Sequence, residues 1–128
     1  MKRIVKTDKA PEAIGHYSQA IEAGDLLFCS GQIPIDPKTG KFVEGGVDAQ
    51  AEQVLKNVKG LLEGAGYSLK NVIKATIFAR SINDFAIINE IYGKYFSESF
   101  PARSFIEVSG LPKGALVEIE VVASKTAN

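Results

Sequence analysis

The sequence predicts an α+β fold: one domain, residues 1–128, with a mixed, mostly antiparallel sheet and two helices packed on one face. Three observations lead there. Apolar residues recur at helical spacing in two stretches and alternate with polar ones in several short runs. These segments come in the order strands, helix, strand, helix, two strands. A chain of 128 residues has room for one core and not for two.

Ile21 to Gly31 carries the apolar run Leu26-Leu27-Phe28-Cys29 after a Gly24-Asp25 turn, the pattern of a two-stranded hairpin. Asp36-Pro37-Lys38-Thr39-Gly40 is a turn by its residues. From Val47 the period becomes helical, with Val47, Ala51, Val54, Leu55, Val58, Leu61, Leu62 and Ala65 on one stripe that Gly64 or Gly66 ends. Val72 to Arg80 alternates as a strand, setting Ile73, Ala75, Ile77 and Ala79 opposite Lys74, Thr76, Phe78 and Arg80. Ser81 or Asn83 can cap a second helix whose stripe is Phe85, Ile88, Ile91, Tyr92, Tyr95 and Phe96.

The last quarter reads as two strands joined by a Gly/Pro loop into a final hairpin. Arg103, Phe105 and Glu107 share one side of the first strand and Glu118 and Glu120 one side of the second, while Ile106, Val108, Val117, Ile119 and Val121 form the core side. A face with fixed charge of both signs suits a small anion beside an activated water. The bland alternative is an intersubunit salt bridge from Arg103 to Glu107 or Glu118. A register with Ser109 opposite Leu116 sets Glu107 against Glu118, and like charges directly opposed are unfavourable. Two helices cover one face of such a sheet, and Phe78 and Phe105 on the other face call for self-association to cover them.

Fifteen basic and fifteen acidic residues leave no net charge, which argues against a nucleic-acid module. Hydrophobic residues at 45% against 23% charged exclude a disordered chain. The start Met1-Lys2-Arg3-Ile4-Val5 has too short an apolar run for a signal peptide, and no stretch reaches the length of a membrane span, so a soluble, cytoplasmic protein is expected. Cys29 is the one cysteine and His16 the one histidine, so neither an intrachain disulfide nor a Cys/His metal site is expected. Cys29 lies in an apolar run and is read as an inert thiol, not as a nucleophile paired with His16.

The run Pro101 to Glu118, with Gly15-His16-Tyr17-Ser18-Gln19-Ala20 and Ser30-Gly31-Gln32-Ile33-Pro34 upstream, closely resembles the RidA/YjgF family of reactive intermediate deaminases over nearly the whole chain. The resemblance implies a chorismate-mutase-like fold, a homotrimer with sites in clefts between subunits, and no cofactor or metal. It implies hydrolysis of the 2-imino acids 2-iminobutanoate and 2-iminopropanoate, released by dehydratases that use pyridoxal phosphate, to 2-oxo acids and ammonia. Arg103 would grip the substrate carboxylate, a match of planar donors that lysine lacks. Glu118 would hold or activate the attacking water, and Tyr17, Ser30, Gly31 and Asn89 would line the pocket. His16 stands where many relatives carry proline, and Phe105 where some carry cysteine, so neither is given a side-chain role. Two other functions remain open: a ribonuclease or translation inhibitor, a role attached to some relatives, and a trimer that binds small carboxylates without turnover. The resemblance gives no role to Glu107 or Glu120.

Overall fold

The computed structural model describes residues 1–128. Six strands, β1 (Lys2–Val5), β2 (Ala20–Ala23), β3 (Leu26–Cys29), β4 (Val72–Ala79), β5 (Ala102–Glu107) and β6 (Val117–Ser124), form one sheet in the order β1-β2-β3-β6-β4-β5. Neighbours pair antiparallel except β4 and β5, which run parallel. A parallel pair needs a crossover, and helix α2 (Phe85–Tyr95) supplies it, while α1 (Val47–Gly64) joins the two halves of the sheet. No helix is long and apolar enough to cross a membrane.

Alternation along the strands decides where the helices sit. Ala75, Ile77 and Ala79 of β4 and Val117, Ile119, Val121 and Ala123 of β6 are buried in one cluster with Val54, Leu55, Val58, Leu61 and Leu62 of α1 and Ile88 and Tyr92 of α2. Truncating one of the buried leucines to alanine would remove contacts worth about 2–5 kcal/mol, so this helix-covered face holds most of the stability. α1 ends where Gly66 turns to φ +89°, freeing its amide to reach Glu63 O at 3.1 Å and that of Tyr67 to reach Leu62 O at 2.8 Å. These are the paired bonds of a glycine-terminated helix. Ser81 Oγ accepts from Asn83 N and starts the short turn that leads into α2, so of the two candidate caps the serine serves.

The final hairpin does not form. β4 lies between β5 and β6, so Glu107 pairs with Ala79, Glu118 with Phe78, and the two glutamates are never opposed. The faces also differ from the sequence reading: Arg103 pairs with Ala75 and Phe105 with Ile77, which puts both on the helix-covered side. The physical reason is α2, whose Phe85 ring meets Phe105 edge to face at 4.9 Å, giving Phe105 a better partner than open solvent. Ile106 turns outward instead and is 42% exposed. β1, with three of its four residues exposed and no periodicity to mark it, is absent from the sequence reading.

Glu118 and Glu120 remain on the open face. An apolar row crosses that face through Ile4, Ile21, Phe28 and Val122, each directly opposite the next on neighbouring strands. Ile4 and Phe28 are 58% and 48% exposed.

The helix-covered side is clasped by Glu22 on β2. Its carboxylate takes Arg3 Nε at 3.0 Å, the Tyr67 hydroxyl at 2.7 Å and Lys125 Nζ at 2.9 Å, tying β1, the end of α1 and the chain after β6 together. Hydrogen bonds from Arg3, then Tyr67, then Lys125 hold its pKa down to about 2. A carboxylate depressed in the folded state adds stability above its unfolded pKa and loses it as pH falls through the folded one. The melting-temperature gap between wild type and Glu22→Gln is therefore expected to be constant from pH 7 to about 5 and to close as pH falls toward 2. A thermal-unfolding series in pH checks this, and a gap that stays open at pH 2 contradicts it.

Candidate functional site

Arg103 stands second in the edge strand β5, two residues after Pro101, and its side chain crosses onto α2. Nη1 donates to Asn89 Oδ1 at 2.7 Å, and the guanidinium carbon lies 4.9 Å from the Tyr92 ring centre and 5.7 Å from that of Phe85. Phe85, Asn89 and Tyr92 are spaced i, i+4, i+7, so one face of α2 is given over to this cation. Within the chain no carboxylate bridges it: the ion pairs there are Arg3–Glu22 and Lys125–Glu22. Glu107, the sequence-level rival for Arg103, instead accepts the Ile82 amide at 2.7 Å and anchors the entry to α2. Nε and Nη2 of Arg103 make no hydrogen bond within the chain, so the edge of the guanidinium that matches a carboxylate at two points is free.

The second cluster lies on the other side of the sheet. Glu118 bends its carboxylate over Gly31 so closely that a methyl group on that glycine would sit 1.9 Å from Glu118 Oε2. Burial first, and the neighbouring charge of Glu120 second, push the Glu118 pKa above the ordinary carboxylate value. That explains Glu120 only as a neighbour that makes Glu118 a better proton acceptor. Ser30 Oγ donates to Ser18 O at 2.6 Å and Ser30 N to Gln19 O at 2.9 Å, which fixes the end of β3 against the Tyr17-Ser18-Gln19 segment. The buried Gln19 amide secures that segment in turn: its oxygen accepts Thr7 N at 2.8 Å and its nitrogen donates to Thr7 O at 3.0 Å and Pro11 O at 2.8 Å. Tyr17 is half exposed and lines a groove of about 630 Å³ with Ile4, Lys6, Thr7 and Glu12 among others.

The structure thus brings Ser30, Gly31 and Glu118 together and links Tyr17 to them through Ser18, and separately joins Arg103 to Asn89. It does not bring Arg103 to Glu118: within one chain they point from opposite faces of the sheet. The sequence reading missed Phe85 and Tyr92 as site residues by assigning both to the core stripe. Their spacing around Asn89 was the available signal. Cys29 is buried, and desolvation pushes its thiol up to about 12, which agrees with an inert side chain.

The domain is thus a small α+β protein with an arginine unpaired within the chain on one face of its sheet and a glutamate of raised pKa on the other. Residues 7–125 match the family model described as Endoribonuclease L-PSP. The chain is 57% identical to a RutC family protein of Pyrococcus horikoshii, covering 98% of this chain and 99% of that one. It is 48% identical to the human 2-iminobutanoate/2-iminopropanoate deaminase, over 96% and 90% of the two chains. A Rid family protein from Yersinia pestis superposes with a TM-score of 0.94 at 51% identity, over 97% and 99% of the chains. The chain belongs to the RidA/YjgF family.

Proposed function

We propose that the protein is a hydrolytic deaminase of short 2-imino acids that works as a cytoplasmic homotrimer with its sites between subunits. The observation that carries the reading is the unpaired edge of Arg103, a half-buried cation whose contacts within its own chain are all neutral. Such a group binds a carboxylate without first having to break an ion pair. Because Arg103 and Glu118 lie on opposite faces of one sheet, a site that uses both takes each from a different copy. The apolar row on the open face is the surface that association would cover.

In such a cleft Arg103 fixes the carboxylate, and Glu118 takes a proton from a water as its oxygen attacks the carbon of the protonated imine. The adduct carries hydroxyl and amino groups on one carbon. Return of that proton from Glu118 to nitrogen, with the hydroxyl proton passing to the freed Glu118 carboxylate, expels ammonia and leaves the 2-oxo acid. The substrate carbon is already electrophilic, so orientation and one proton acceptor suffice. Ser30, Gly31 and Tyr17 shape the pocket around the reacting carbon.

The test generates 2-iminobutanoate in place with a threonine dehydratase and follows its decay. Decay at least tenfold faster with the protein than without it is expected, together with a trimeric mass by sedimentation. Decay at the uncatalysed rate would overturn the reading in favour of a carboxylate-binding trimer. The raised pKa of Glu118 adds a pH signature: kcat/KM should fall on the acid side at a pH above the ordinary carboxylate range, because a base works only when deprotonated. In Glu120→Gln that limb should move to lower pH, since one of the two causes of the shift is gone. Comparing variant with wild type cancels ionisation of the substrate itself.

A further inference from the structure

We infer that the Phe85–Asn89–Tyr92 face of α2 is a positioning device that keeps Arg103 oriented and free of any counter-charge from its own chain, and that Asn89 acts on the arginine and not on the substrate. The inference rests on the reading of Arg103 as the carboxylate grip. The Asn89 oxygen is committed to Arg103 Nη1 at 2.7 Å, which fixes the guanidinium by the corner opposite its free Nε–Nη2 edge. The two rings supply attraction through their electron-rich faces without supplying a counter-charge. A carboxylate in Asn89's place would hold the arginine more tightly and cancel the charge that a ligand needs.

Tyr92 shows that its ring is the working part. Its hydroxyl is buried without a hydrogen-bond partner, although a buried hydroxyl is ordinarily paired, so the position is held for the face under Arg103 and the core contact with Phe96 at 4.7 Å. Phe85 is partly exposed and serves twice, packing on Phe105 and standing over the cation. The device explains why this helix stripe is aromatic at its two ends and polar between them.

The experiment measures 2-oxobutanoate binding by calorimetry, and thermal stability in parallel, for Asn89→Asp, Tyr92→Leu, Tyr92→Phe and Arg103→Ala. Asn89→Asp is expected to weaken binding about 30-fold or more while the melting temperature holds or rises, because a new ion pair forms at the expense of the ligand. A residue with a merely structural role would not move affinity and stability in opposite directions. Tyr92→Leu should weaken binding by about tenfold, and Tyr92→Phe should restore it, since only the ring is used. If Arg103→Ala binds normally, the carboxylate-grip reading fails. If Arg103→Ala loses binding while Asn89→Asp keeps it, the grip stands and the positioning role is overturned.

Discussion

Arg103→Ala is expected to lower kcat/KM for 2-iminobutanoate by about 100-fold, the loss that follows from removing roughly 3 kcal/mol of charge-assisted hydrogen bonding to a carboxylate. The figure is of that order because the guanidinium enters binding with a free two-donor edge and no ion pair to give up. Arg103→Lys should recover little. An ammonium offers no planar fork, and it cannot hold Asn89 by one corner while presenting two parallel donors to a ligand. Decay of the imine with each variant gives the measurement, with circular dichroism to show that the overall secondary structure is kept. Since Arg103 also covers part of the Tyr92 ring, some loss of stability should accompany the alanine variant. That loss should be shared by Arg103→Met, which keeps the apolar stem, only in small part. Equal kcat/KM for wild type and Arg103→Ala would end the proposal that this residue holds the substrate.

What the sequence revealed and what it hid follow from the range of the interactions involved. The stripe of α1 and the alternation of β6 and of β4 from Ala75 onward are local patterns that the buried cluster reproduces. A register shift between Val72 and Lys74 buries Val72 and leaves Ile73, expected on the core side, 40% exposed. Edge strand β5 was harder, because both of its faces are half covered and both carry an aromatic or aliphatic residue. Phe105 and Ile106 compete for the core by alternation alone, and only the presence of Phe85 on α2 decides between them. Strand neighbours are a still longer-ranged matter. A short Gly/Pro loop between β5 and β6 is compatible with a hairpin, yet β6 slots between β3 and β4 and leaves β5 on the far side. Alternation fixes the face of a side chain within its strand and says nothing about which strand lies alongside.

For the site, the chemical types were legible and the assembly was not. Arg103, Glu118, Ser30, Gly31 and Asn89 were each picked out by their place in recognisable segments, but the reading that set Arg103 and Glu118 on one charged face joined groups that the sheet separates. Groups on opposite faces of one sheet serve a common site only when two copies supply them, as in the proposed trimer. Had both groups faced the same way, one chain would have sufficed. Glu107 found its explanation at the start of α2, where it accepts a backbone amide that a short helix entry leaves unpaired.

Gly31→Ala should abolish most turnover without unfolding the protein, with kcat down by about 100-fold, within the range that a lost general base removes. The backbone at Gly31 is not in the left-handed region, so an alanine there carries no conformational strain and can even gain a few tenths of a kcal/mol, up to about 1, from a less disordered unfolded chain. All the cost falls on what the new methyl group meets, which is Glu118: Oε2 at 1.9 Å, Cδ at 2.8 Å and Cγ at 3.0 Å. Those atoms end a flexible side chain, so the cheap response is for Glu118 to swing off its seat, at about 0.5–1.5 kcal/mol if it leaves its favoured torsion. The fold survives and the proton acceptor moves away from the reacting carbon. Glu118→Gln should give a similar fall in kcat, and the double variant Gly31→Ala with Glu118→Gln should be little worse than either alone, because both changes disable the same group. Multiplying losses would mean that Gly31 contributes by some other route, such as its backbone amide meeting the substrate. A fully active Gly31→Ala, beside an inactive Glu118→Gln, would show that the carboxylate does not need the seat seen in the structure.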